Sequence, residues 1–374
     1  MKNRAFIFIL SLTGFSACAE QIETEIKAVS PETKNYTHEV VVSDIAIPWG
    51  MAFLPDGSIL VADRVGDLVR SKDGANTKIE GLPKILVRGQ GGLMDIELHP
   101  QYETNGWLYL AYSSPKGKSQ EGNTAIMRAK LDGDKLVSKK VLYKGSPDTK
   151  VGRHFGSRIE FDDQGYLYFA IGDRGDRDSN PQDIKRDGGK IYRIHEDGRI
   201  PKDNPFVDTK RAKAAIYSYG HRNPQGMAKH PETGAIWVHE HGPRGGDEIN
   251  IVQKGGNYGW PVASYGINYN GTSFTDKTSA PGMEPPYFFW VPSIAPSGMA
   301  FVTSDVYPEW KGSLMVGALK SAYLERLIIE NDQVVAREKI LENLGRVRSV
   351  RQGPDGYLYV GVEGTGIVKI VPNS

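Results

Sequence analysis

Six recurrences of a glycine-bearing turn followed by an alternating apolar strand, a composition rich in glycine and aromatic residues, and a near absence of long helical periodicity predict an all-β fold, a six-bladed β-propeller. The turns carry Gly57, Gly106, Gly165, Gly234, Gly312 and Gly356, in segments such as LPDGSILVADR, DDQGYLYFAIGD and GPDGYLYVGVEG. Their steps run from roughly 45 to 80 residues, a blade-sized period with variable insertions. Pro-Asp-Gly or Glu-Thr-Gly ahead of an aromatic or branched run is a turn-then-strand signal. One such unit cannot bury its faces alone, and closing a ring buries them against neighbours. The C-terminal GIVKIVPN is expected to complete a blade with residues near 38–42, and residues 181–190 read as a short helix or a loop. A pair of β-sandwiches, the runner-up architecture, fits six matched units less well.

The chain has 374 residues, with 46 Lys+Arg against 45 Asp+Glu, a formal net charge of +1. Charged residues at 24% and the hydrophobic set at 39% are ordinary for a soluble globular protein. The near-neutral balance argues against a nucleic-acid partner, which would need a basic surface to replace phosphate counterions. It also argues against a disordered acidic chain. The 43 Gly and 22 Pro suit short strands joined by tight turns.

Residues 1–18, MKNRAFIFILSLTGFSAC, have a basic start, a short apolar run and small residues before Cys18. The run is too short to span a bilayer and fits a secretory signal. Cys18, the chain's one cysteine, follows Ser16-Ala17 and resembles the acylated cysteine of a bacterial lipoprotein signal. The protein is therefore expected to be exported to the periplasm as a membrane-anchored lipoprotein; the alternative is an ordinary signal cleaved nearby. Residues 19–35 are polar, contain Ser30-Pro31 and read as a tether. Residues 36–374 form the propeller domain, without a further cysteine for a disulfide and without a stretch of transmembrane length.

A propeller is a platform whose loops carry the chemistry. Four segments have residues that folding alone does not require: GQGGL (89–93), GRHFGS (152–157), GHRNPQG (220–226) running on to HEHGPRGGDEIN (239–250), and the cations Lys320, Arg346 and Arg348. His154 lies in a Gly-flanked loop and can exchange a proton near neutral pH, as a general base must; the bland reading is a hydrogen-bonded loop histidine. Arg222 offers a planar fork for a carboxylate, or pairs with a neighbouring blade. Arg346 and Arg348 alternate, so both point to one face of an extended segment. Several cations on one face would want a multiply anionic ligand. The Gly-rich turn before Asp247-Glu248 offers carbonyls and carboxylates to calcium, which takes about six to eight oxygen ligands. His239 and His241 share a strand face, but zinc lacks a clear third ligand. Asp173, Asp176 and Asp178 read as a solvated turn in preference to a second oxygen-rich site. The sequence has no G-x-S-x-G elbow, Walker loop or HExxH.

Taken together these segments resemble the soluble quinoprotein glucose dehydrogenases, and more closely their aldose sugar dehydrogenase branch. The resemblance covers most of the chain and is sharpest in GHRNPQGMAKHPETGAIWVHEHGPRGGDEINIVQKGGNYGWP (220–261). It implies a six-bladed propeller binding calcium and pyrroloquinoline quinone (PQQ), a tricarboxylate ortho-quinone. It implies that Gln90, Arg222, Asn223, Lys320, Arg346 and Arg348 hold PQQ. His154 is implied as the base, with Arg222 stabilising negative charge that develops on the quinone. The carbonyls of Gly242 and Pro243 are implied as calcium ligands, and Glu248 and the Tyr258 carbonyl look like calcium ligands of this branch. Trp290 is expected to wall the pocket. The implied reaction oxidises the anomeric C1 hydroxyl of an aldose to the lactone by hydride transfer to the quinone, with an unidentified acceptor taking the electrons onward. Arg153 and His241 depart from the glucose-dehydrogenase branch, which carries an acidic residue and an amide there, so broader aldose use is expected. The competing readings are a calcium-dependent lactonase-like propeller, a hydrolase that gives Lys320, Arg346 and Arg348 no reason to converge with Arg222, and a non-catalytic binding propeller, in which those cations are rim charges and His154 is structural.

Overall fold

The computed structural model describes residues 27–29 and 36–373. The signal-type segment and Cys18 lie outside the described residues. Six sheets, antiparallel but for one outer strand, follow one another along the chain. Their first strands are Pro48–Phe53, Leu93–Leu98, Ile159–Phe161, Pro224–Lys229, Pro296–Phe301 and Val347–Gln352, which open blades 1 to 6. Each first strand packs beside the next around a central axis, and that of blade 6 packs back on that of blade 1. The ring is a closed six-bladed propeller, as predicted. Among the described residues the one α-helix is the single turn Tyr102–Asn105, and residues 181–189 are turns and bends that lead into a strand at Lys190.

The six pivotal glycines all lie between the first and second strands of their blades, with φ from 65° to 83°. That left-handed conformation strains any side chain and suits glycine. The second strands differ from the alternating pattern of the sequence reading. Ile59–Asp63, Ile236–Glu240, Leu314–Ala318 and Leu358–Val362 bury every residue. The reason is that neighbouring blades cover both faces of the sheet. Each of the six neighbouring pairs of blades encloses its own apolar cluster, such as Leu60, Leu93 and Leu110 between blades 1 and 2 and Met51, Val61 and Ile367 between blades 6 and 1.

Closure joins the two ends of the domain. Tyr36–Val42 pairs antiparallel with Gly366–Pro372, with His38 opposite Ile370. Within the segment read as a tether, Lys27–Val29 adds a parallel fifth strand on Gln333–Ile340 of blade 5. That outer strand offers open backbone groups, which an extended segment satisfies.

Arg158 ties the blades at the axis. Its guanidinium donates to the Trp49 carbonyl of blade 1 at 2.8 Å, to Asp95 of blade 2 at 3.2 Å, to the Gln225 carbonyl of blade 4 at 2.7 Å and to the Arg348 carbonyl of blade 6 at 2.8 Å. It also stacks 4.1 Å over the Trp49 ring. A buried cation is tolerable when its donors are satisfied in this way.

Candidate active site

Successive strands alternate in direction, so the loops entering first strands and those leaving second strands open on one face. Gln90, His154 and Arg222-Asn223 precede the first strands of blades 2, 3 and 4, and Arg346 and Arg348 lie at the start of blade 6. Asp173, Gly242-Pro243 and Lys320 follow the second strands of blades 3, 4 and 5. Residues from five blades thus converge on a single end of the ring.

His154 is held from several sides. Its backbone is left-handed, with φ 54°, and its amide donates to Gln90 Oε1 at 2.7 Å. Gln90 is positioned in turn by its own amide, which donates to the Gly152 carbonyl at 2.7 Å. A Cβ on Gly89 would overlap that carbonyl oxygen, so only glycine lets the two loops approach this closely. His154 Nδ1 lies 2.6 Å from Asp173 Oδ1. Trp260 Nε1 donates to Asp173 Oδ2 at 2.9 Å, and the Gly175 amide donates to Oδ1 at 2.6 Å. A carboxylate so surrounded only accepts, so Nδ1 carries the proton and Nε2 keeps its lone pair.

Burial, with Arg222 and Arg153 adding to it, holds the His154 imidazolium below its ordinary range, against the pull of Asp173. Burial works to raise the Asp173 carboxyl, but the contacts with His154 and Arg222 hold it below its ordinary value. The sequence reading missed this pair: Asp173 is no solvated turn residue but 1% exposed. It also missed Arg174, which stacks 3.5 Å over Phe155 and donates to the Arg153 carbonyl and, at 2.6 Å, to the Val151 carbonyl. Arg174 thereby clamps the histidine loop to the aspartate loop. A Gly-Asp at the end of a blade's second strand, matched to a histidine before its first, is the signal that was available.

Arg222 is buried, and its amide donates to Glu240 Oε2 at 2.5 Å. One guanidinium nitrogen donates to the His241 carbonyl at 2.9 Å, and the group lies 5.3 Å over the Trp260 ring. Asn223 Oδ1 accepts from the Gly156 amide at 3.2 Å, while its Nδ2 is buried without a partner. Arg346 and Arg348 share Glu363, at 2.7 and 2.6 Å. Two guanidinium groups on one carboxylate leave a net positive charge. Lys320 is exposed and makes no ion pair among the described residues, and the neighbouring Leu319 carbonyl accepts from Arg346 at 3.1 Å.

A small cavity is lined by Arg222, Glu240, Gly242, Glu248, Tyr258 and Trp260, among others. It gathers three of the four expected calcium ligands; Pro243 is buried in the same turn but outside that lining. Glu240, which the sequence reading did not select, accepts from His221 Nδ1 at 2.8 Å and Asn250 Nδ2 at 3.1 Å. Burial, and then the charges of Glu240 and Asp247, push the Glu248 carboxyl well above its ordinary value. Among the described residues no group of three or more His, Cys, Asp or Glu side chains makes a metal site, so a cation here would draw on main-chain carbonyls.

One further reading is corrected. Trp290 does not wall the pocket: it is 1% exposed, packs between blades 4 and 5, and donates to Glu325 at 2.7 Å. Trp260 occupies the pocket wall instead. His239 and His241 do share a strand face, but their Nε2 atoms meet the Gly298 and Pro296 carbonyls of blade 5, at 3.2 and 2.8 Å. They lock two blades together.

The propeller, with a histidine–aspartate pair and several cations gathered at one end of its ring, defines the class, and the chain belongs to the glucose / sorbosone dehydrogenase family, whose model matches residues 45–369. It is similar to aldose sugar dehydrogenase YliI of Escherichia coli (strain K12), 42% identical over 339 residues, 88% of this chain and 90% of that protein. Quinoprotein glucose dehydrogenase B of Acinetobacter calcoaceticus is 29% identical over 352 residues, 85% of this chain and 71% of that one. Among solved structures, the PQQ-bound form of aldose sugar dehydrogenase from Streptomyces coelicolor superposes with a TM-score of 0.75 at 28% identity, covering 90% of this chain and 98% of that one.

Proposed function

We propose that this protein is a PQQ- and calcium-dependent aldose sugar dehydrogenase that oxidises the anomeric C1 hydroxyl to the lactone. The observation that carries the reading is the His154–Asp173 pair set at the same end of the ring as Arg222, Lys320, Arg346 and Arg348, cations from three other blades. The residues present fit the cofactor. Asn223 has an unspent buried donor, Lys320 a free ammonium, and Arg346 and Arg348 more charge than Glu363 neutralises. These groups, with Gln90 and Arg222, would hold a tricarboxylate. The cavity beside Glu248 fits a divalent cation, since a cation there would relieve the repulsion among Glu240, Asp247 and Glu248. Glu248, Gly242, Pro243 and Tyr258 would hold it.

When bound, PQQ supplies the hydride acceptor and calcium the Lewis acidity that draws charge onto it. The chain supplies the rest. His154 Nε2 accepts the proton of the anomeric hydroxyl, and Asp173 stabilises the imidazolium that results. Arg222, fixed by Glu240 and His241, places positive charge where negative charge grows. Family membership and a PQQ-bound structural relative support this reading. Export as a Cys18-anchored periplasmic lipoprotein remains our proposal for the chain's address, tested by radiolabelled palmitate incorporation that a Cys18→Ala variant abolishes.

Reconstitution tests the function. Apo-protein given PQQ and calcium is expected to reduce an artificial dye in the presence of an aldose. Lactone hydrolysis without quinone, or silence in both assays, would overturn the reading. Glu248→Gln is expected to raise the calcium needed for half-maximal reconstitution by about tenfold, measured by metal titration.

A further inference from the structure

His154 is backed by Asp173 and preceded in the chain by Arg153, whose charge lowers the proton affinity of the histidine and is otherwise unassigned. Arg153 is exposed and forms no ion pair among the described residues. Its guanidinium lies against Gly175, where an added Cβ would stand 2.7 Å from Arg153 Nε and 3.2 Å from Nη2. Gly175 is the residue whose amide holds Asp173 Oδ1, the same oxygen that meets His154. The guanidinium therefore lies over the catalytic turn, and its field is felt at the imidazole.

The carboxylates of its own loop and of the Asp173 turn are engaged elsewhere. Asp173 serves His154 and Trp260, Asp176 pairs with Arg186 at 3.3 Å, Asp178 with Arg177 at 3.6 Å, and Asp148 with Lys144 at 2.9 Å. Arg153 is also separate from the groups that fit the cofactor. A planar fork without a counterion, beside a base that receives the anomeric end of a sugar, is suited to a bidentate anion on that sugar.

We infer that Arg153 is a specificity-determining residue that selects aldoses carrying an anionic group, a uronate carboxylate or a sugar phosphate, away from C1. The inference rests on the sugar dehydrogenase reading and names the substrate class of that site. A neutral hexose leaves the fork solvated, whereas an anionic aldose satisfies it.

The test compares the PQQ- and calcium-loaded full chain with its Arg153→Gln and Arg153→Glu variants on glucose, glucuronate and glucose 6-phosphate. Binding of methyl glucoside and methyl glucuronide, whose blocked C1 prevents turnover, is measured alongside by calorimetry. The expected result is a fall of about tenfold in the anionic-to-neutral ratio of kcat/KM in Arg153→Gln, carried by KM. A further fall is expected in Arg153→Glu, with a matching loss of glucuronide over glucoside binding. Which anionic sugar shows the change separates a carboxylate from a phosphate. An unchanged ratio overturns the inference. So does a parallel fall on all three sugars, which would mean that Arg153 acts only through the proton affinity of His154. If no aldose is oxidised by the unaltered chain, the parent reading fails, and the glycoside binding ratio decides the inference separately.

Discussion

Asp173 determines which nitrogen of His154 does the work. By holding Nδ1 it leaves Nε2 as the acceptor, and by staying ionised it favours the imidazolium formed in the reaction. His154→Gln is expected to lose about 100-fold or more in turnover while still binding PQQ, read by dye reduction and by cofactor absorbance after gel filtration. Asp173→Asn should lose about as much, since the ring loses its orienting carboxylate. The pH profile carries a sign. The base acts when neutral, and burial with two arginines keeps its proton affinity below the ordinary value of 6.5. The acidic limb of kcat/KM should therefore lie below pH 6.5. Asp173 works to raise that proton affinity, so in Asp173→Asn the limb should move further to acid. A limb that moves toward neutrality would show that Asp173 is not the partner in solution.

At the scale of strands and loops, close approach decides what a sequence position tolerates. Gly226 lies in the first strand of blade 4, and a Cβ there would overlap the imidazole of His239 on the neighbouring strand. His239 cannot retreat, because its Nε2 meets the Gly298 carbonyl of blade 5. Gly226→Ala is expected to lower stability by about 1–3 kcal/mol, seen as a lower urea midpoint with an unchanged slope. Gly172 is bound in the same manner: an added Cβ would meet the His154 carbonyl at 2.5 Å and Asn223 Oδ1 at 2.8 Å. The turn glycines were legible beforehand because turn chemistry is local. The packing glycines were not, because the group that excludes a side chain belongs to another strand or blade.

The whole molecule depends on closure and on buried charge. Arg158 reaches residues of four other blades, and Asp95 is fully buried against it. Arg158→Ala should cost about 3–5 kcal/mol in unfolding free energy, because the carbonyls of three blades lose their donor and buried Asp95 keeps only the Ile159 amide and the more distant Arg351, at 4.0 Å, a loss that chemical denaturation would register. Acid sensitivity follows from His239. Burial holds its imidazolium down to about 3, while the unfolded chain takes up a proton near 6.5. The unfolded state thus binds more protons between those values, and this group's stabilisation is complete above pH 6.5 and lost progressively as pH falls toward 3. The fall in Tm between pH 7 and pH 4 should be smaller in His239→Gln than in the unaltered chain.

The six turn-strand units, the pairing of the two ends of the domain, and the loops bearing Gln90, His154, Arg222, Lys320, Arg346 and Arg348 were all written in the order of residues. Turn and strand preferences act between near neighbours, and period alone counts the blades. Only the closed ring decided that Asp173 meets His154, that Glu240 fixes Arg222, and that Trp260, not Trp290, faces the pocket. Trp260 reaches Asp173 across a separation of 87 residues. Such partnerships depend on where blades are placed around the axis, and that placement comes from the apolar clusters between them.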